Sequence, residues 1–251
     1  MKKQFYFSVS FLLISCLFVS CFYGIKGNGK VVKSERQVEK FESISASAGL
    51  DVILIQDSIV KVVVEADGNL QDNIKTEVSD GELKIYPEKR IRSSKAKKVY
   101  VTFISIHSLA ASSGSKIKSK SELKLTSLDL SASSGANIDM SLVVTELNVE
   151  CSSGGDIDLS GTAANLSVDG SSGANIKASE LQSKVCTAGA SSGAKLKIYV
   201  SEKIIARPVA EVILTLRETP RKETSKSRVA VMFLLNRNQQ ALIGLLVSIR
   251  H

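Results

Sequence analysis

Asp139 and Asp158 stand 19 residues apart, each directly behind an isoleucine and a few residues after a Ser-Ser-Gly tripeptide, with Asp156 two residues before the second. Paired carboxylates are the working groups of glycoside hydrolases, and grouped carboxylate oxygens also suit calcium. If the two segments stack as neighbouring parallel strands, about 4.8 Å apart, Asp139 and Asp158 come near the separation that retaining enzymes use. Continued along the chain, however, the same position is filled by Lys118, Lys177 and Lys197, the pattern of a mixed, outward-facing stripe. Asp139, Asp156 and Asp158 are therefore carried as a surface-binding or weak metal site. A carbohydrate-active hydrolase is the alternative that would use the same acids.

Other catalytic equipment is thin. The two histidines are His107, at the start of a strand pattern, and His251, the last residue, so a histidine triad or a zinc site has little to draw on. Ser112, Ser133, Ser152, Ser171 and Ser191 lack a partnered base, and they read as a structural corner ladder rather than a row of nucleophiles. No phosphate-binding loop, HExxH or paired CxxC motif occurs. The expectation is a protein that is not an enzyme and uses no cofactor.

What must position these residues is a repeat. Ser-Ser-Gly begins at 112, 133, 152, 171 and 191, at intervals of 21, 19, 19 and 20 residues. Three residues after each glycine (Gly114, Gly135, Gly154, Gly173, Gly193) stands an aliphatic: Ile117, Ile138, Ile157, Ile176 and Leu196. Before each turn apolar residues alternate, as in Leu128/Leu130, Leu147/Val149 and Leu166/Val168. Period-two alternation around a Ser/Gly turn marks short strands, and units of this length bury their apolar face only by stacking. The fold class is all-β, a right-handed parallel β-helix or closely related β-solenoid with rungs of roughly 20 residues.

The register also constrains the cysteines. Ala111, Ala132, Cys151, Gly170 and Ala190 occupy one small-residue corner, whereas Cys186 falls in the column of Leu128, Leu147 and Leu166. Cys151 and Cys186 are then two rungs and one column apart, and no disulfide is expected. Residues 30–106 show a looser version of the pattern. FESISASAGLDVILIQ (41–56) reads as a rung with Ala-Gly at its corner. IVKVVVEAD (59–67), ELKIYPEK (82–89) and VYVTFISI (99–106) are further strands.

The ends differ from the body. Lys2, Lys3 and the apolar run Phe5 to Val19 read as a signal peptide over residues 1–20, short for a membrane span. LFVSC and LLISC resemble the lipoprotein cleavage box. Lipid is expected on Cys21, with Cys16 the alternative, followed by a linker over 21–37 and a solenoid domain over 38–206. The net charge of +8 is concentrated at the two ends, which argues against nucleic acid. After Arg207 the motif disappears. Yet the codons of PVAEVIL permit Ser-Ser-Gly-Gly-Asp-Ile in a displaced frame, and RVAVM permits Ser-Ser-Gly-Asn-Val. Residues 207–251 therefore read as an anomalous tail made by a frameshift, the alternative being a genuine capping or membrane-associating segment.

FESISASAGLDVILIQ, VVVEADGNL, DGELKIY and the series SASSGANIDM, CSSGGDIDLSG and DGSSGANIKAS resemble the family described as putative auto-transporter adhesin, head GIN domain, over about residues 38–206. The resemblance implies a β-helical protein, exported and lipid-anchored in the bacterial cell envelope at the outer membrane, or else secreted. It brings no catalytic pattern. The function implied is adhesion or surface binding toward an envelope protein or polysaccharide, with a purely structural envelope role as the other reading.

Overall fold

The computed structural model describes residues 24–206 and the strands Val212–Leu216, Arg228–Met232 and Leu246–Ser248. Residues 1–23, with the expected signal peptide and both lipidation candidates, and most of the tail lie outside the described residues. Nine strands form the N-terminal part: β1 (Ile25–Lys26), β2 (Val31–Arg36), β3 (Ser43–Ala46), β4 (Asp51–Gln56), β5 (Lys61–Asp67), β6 (Ile74–Ser79), β7 (Glu82–Pro87), β8 (Ile91–Ser93) and β9 (Lys97–Phe103). The repeats supply β10 (Ser108–Ala111), β11 (Lys116–Ser119), β12 (Leu123–Ala132), β13 (Asn137–Cys151), β14 (Asp156–Gly170), β15 (Asn175–Ala190) and β16 (Lys195–Ala206).

From β10 onward the strands of successive rungs pair in parallel, forming a β-solenoid of about five turns. The register matches the sequence columns. Ile117, Ile138, Ile157, Ile176 and Leu196 lie one above another and are all buried. So do Leu128, Leu147, Leu166 and Cys186. Each such side chain withdrawn from water contributes about 1.5–3 kcal/mol, and stacking like on like keeps the core continuous. In-and-out alternation slips once per rung, where two successive residues such as Thr145 and Glu146 both face solvent. There the chain bends and begins the strand that leads to the next corner.

Each Ser-Ser-Gly is a tight turn closed by a main-chain bond, from the Ala136 N–H to the Ser133 carbonyl at 3.0 Å and from the Gly155 N–H to the Ser152 carbonyl at 2.9 Å. Both central residues have positive φ, 50° at Ser153 and 70° at Gly154. That is the type I′ arrangement, and the second serine as well as the glycine must adopt the left-handed region. The ladder expected at the first serines runs through the main chain: the N–H groups of Ser133, Ser152 and Ser171 donate to the carbonyls of Ala111, Ala132 and Cys151 on the preceding rung. Small residues flank the turn because the corner is narrow. A Cβ added at Gly155 would approach Cys151 Sγ to 2.9 Å.

The N-terminal part continues both walls of the solenoid and then departs from it. Ala48 and Gly49 have φ of 56° and 76°, reproducing the corner, and β3 and β4 lie parallel beneath β10 and β11. Beyond them, β5 runs antiparallel to β9 and β2, and β6 forms an antiparallel hairpin with β7 through Asp80-Gly81. The strand predicted over 99–106 ends at Phe103. Phe41, Leu70, Leu83, Val101 and Phe103 fill this end of the core. Asp67 is buried and accepts main-chain N–H bonds from Gly29 (2.9 Å), Ala96 (3.0 Å) and Lys95 (3.1 Å). Burial alone would raise its pKa. The N–H donors, aided by the Lys95 ammonium, outweigh that and hold it below the usual carboxylate range.

Candidate binding face

Two walls flank the Ser-Ser-Gly corner, and they carry different chemistry. On the wall after the corner, Lys118, Asp139, Asp158, Lys177 and Lys197 form one column, as the repeat spacing predicts. Lys118 Nζ sits 2.8 Å from Asp139 Oδ2, and the carboxylate raises the lysine pKa by accepting its hydrogen bond. Asp156 accepts from Asn175 Nδ2 at 2.7 Å. Asp158 is exposed. Among the described residues no group of three or more His, Cys, Asp or Glu side chains is gathered to hold a metal ion. The stripe is largely self-compensating.

The wall before the corner reads otherwise. Its outward columns are Ser131–Glu150–Asp169–Gly189 and Ser108–Asp129–Asn148–Ser167–Thr187. Small hydroxyl and glycine positions flank the acids in both columns, which leaves room for indentations. Two adjoining grooves, of about 310 Å³ and 530 Å³, share Ser131, Glu150 and Asp169. The first runs along the corner serines Ser133, Ser152, Ser171 and Ser191; the second reaches Asp129 and Asn148. No lysine or arginine lines either groove. Asn148 Nδ2 donates to Asp129 Oδ1 at 2.7 Å, holding one acid in place from the next rung. The lining offers hydroxyls, an amide and carboxylates at rung spacing, a set suited to hydrogen-bonding an extended polar ligand.

Asp139, Asp156 and Asp158, the acids singled out from the sequence, thus lie on the wall after the corner, whereas the grooves lie on the wall before it. The grouping of Asp129, Glu150 and Asp169 was missed because no two of them share a local motif. Aligning the residue just before each small corner position would have exposed Ser131, Glu150 and Asp169 as one column.

The thiols add no chemistry. Cys151 and Cys186 are both free and buried, and burial pushes their pKa values up to about 11 and about 12. Thiolate, the reactive form, is scarce at neutral pH.

Residues 40–215 match the family described as putative auto-transporter adhesin, head GIN domain. The chain belongs to this family. The match begins after β2 and covers β3 to β9, both walls and the corner turns, and such adhesins are surface or exported proteins. Among solved structures, one described as a putative adhesin from Bacteroides fragilis is 21% identical, with a TM-score of 0.72 over 79% of this chain and 93% of that one. A protein from Parabacteroides distasonis, described as a putative lipid binding protein, is 18% identical, with a TM-score of 0.55 over 78% and 93%. A putative adhesin from Parabacteroides merdae is likewise 18% identical, with a TM-score of 0.55 over 77% and 95%. At these identities the likeness concerns the fold. Among curated proteins nothing matches the chain. No helix among the described residues is long and apolar enough to cross a membrane.

Proposed function

We propose that this family member is a non-enzymatic surface-binding protein of the bacterial cell envelope, anchored through lipid on Cys21 (alternative Cys16), with an envelope polysaccharide or protein as its ligand. The supporting observation is the pair of adjoining grooves before the corner, where Glu150 and Asp169 repeat at rung spacing among serines. A ligand lying along the stack meets similar groups every rung, so many shallow contacts add up without a deep pocket. The hydroxyl and carboxylate lining favours sugar hydroxyls and amines over apolar ligands.

The test compares full-length protein with a Glu150→Lys/Asp169→Lys variant and an Asp139→Asn/Asp158→Asn variant, each titrated against purified envelope polysaccharides and intact envelopes. The expected result is at least a tenfold loss for the first variant and none for the second. Equal binding by all three proteins removes the face from consideration. Release of oligosaccharide that depends on Asp139 and Asp158 would instead restore the hydrolase reading.

A further inference from the structure

The N-terminal end carries a charged surface of the opposite sign. From Lys89 to Lys98 the chain reads KRIRSSKAKK, with six basic residues and no acid. β8 lies in this stretch and pairs in parallel with β1, Ile25 opposite Ile91 and Lys26 opposite Ser93. Ile25 and Ile91 pack against the core, which leaves Lys26 and Arg92 exposed. Lys30, Lys89 and Lys95 are exposed as well. The buried Asp67 carboxylate holds the N–H groups of Gly29, Lys95 and Ala96 together, so the two basic segments are locked side by side. Among the described residues the ion pairs engage Lys33, Lys61, Lys75, Lys84, His107 and Lys118, and leave Lys26, Lys30, Lys89, Arg92 and Lys95 to solvent.

Position makes this charge informative. Only Phe22 and Tyr23 separate Cys21 from Gly24, and the Ile25 N–H is bonded to the Arg90 carbonyl at 2.8 Å. Three residue steps span at most about 11 Å, close to the distance over which membrane surface potential acts. A chain lipidated at Cys21 therefore brings these lysines and arginines to the headgroup layer. We propose that this basic N-terminal surface docks against anionic lipid headgroups and sets the solenoid with its N-terminal end toward the membrane and its later rungs away from it. The position of the surface rests on the lipid-anchor reading; its charge does not. Beside such an anchor a polybasic surface adds electrostatic attraction to anionic headgroups and so favours one orientation.

Full-length protein reconstituted into phosphatidylcholine vesicles, with and without 30 mol% phosphatidylglycerol (on the order of physiological anionic content), is labelled with a water-soluble lysine acylating reagent and mapped by mass spectrometry. Lys26, Lys89 and Lys95 should be protected several-fold in the anionic vesicles, and the protection should vanish at high salt. Lys177 and Lys197, on the rungs, should label equally in both vesicles. The variant Lys89→Gln/Arg92→Gln/Lys95→Gln, with unchanged thermal unfolding, should lose affinity for anionic vesicles by roughly fivefold per base removed. Equal labelling of the basic surface in both vesicle types overturns the proposal. So does equal protection by a soluble polyanion at the same charge concentration. Intact mass of the same preparation reports the lipid separately, so loss of the anchor reading is not confused with loss of the docking surface.

Discussion

The two walls beside the Ser-Ser-Gly corner share one core and one hydrogen-bonding ladder, yet present opposite solutions to the outward positions. After the corner, two acids share one column with three lysines, and Lys118 pairs with Asp139 at 2.8 Å. Before it, Glu150 and Asp169 stack without a base between them, beside serines that leave grooves. The interior favours side chains of like character on successive rungs, because each must fill the space above its predecessor. The exterior makes no such demand. On the wall before the corner the acids line grooves that no lysine or arginine lines, and this is the side on which the proposed recognition would take place.

Five changes would break or sharpen this contrast. The largest effect is expected from Gly161→Val. Gly161 has φ of 109° at a bulge in β14, and an added Cβ would run into the Leu142 carbonyl on the rung beneath. The strain and clash should cost about 4 kcal/mol or more and abolish both walls together. A variant with a wild-type melting temperature would show the bulge to be adaptable. Next is Ile157→Ala, in a buried column of the core that the walls share, with a loss of about 2–5 kcal/mol by denaturant titration. A loss confined to one wall's hydrogen-exchange protection would mean the walls fold separately.

The corner itself is tested by Ser153→Val. A β-branched residue at φ of 50° is strained, and the expected cost is about 1–3 kcal/mol with unchanged compactness by small-angle scattering. The smallest stability effects belong to the outward positions. Asp139→Asn removes an exposed ion pair and should change stability by under about 1 kcal/mol. Glu150→Lys with Asp169→Lys should be similarly mild in thermal melts while removing ligand binding. If the second pair instead unfolds the protein, the grooved wall is a structural element and the comparison collapses.

Much of the interior was legible beforehand because parallel stacking converts sequence period directly into space. The columns headed by Ile117 and Leu128, the corner set around Cys151, and the separation of Cys151 from Cys186 are all arithmetic on a period of about 20. The Ala48-Gly49 corner was legible for the same reason, with backbone angles matching those of the later turns. The antiparallel pairings of β2, β5 and β9 were not, since alternation marks a strand but says nothing of its partner's direction. The left-handed second serine also escaped notice, because glycine alone is sufficient to signal a turn.

What the amino-acid sequence determined by itself is the repeat, the identity of the core columns and the family. Each follows from residue types recurring at a fixed interval. Which wall holds grooves, which carboxylates are compensated by lysine, and which basic loops are clamped beside the N-terminal strand were decided only by the tertiary structure. Charge compensation and concavity depend on side chains from different rungs and loops meeting in space, and a linear spacing cannot report whether they do.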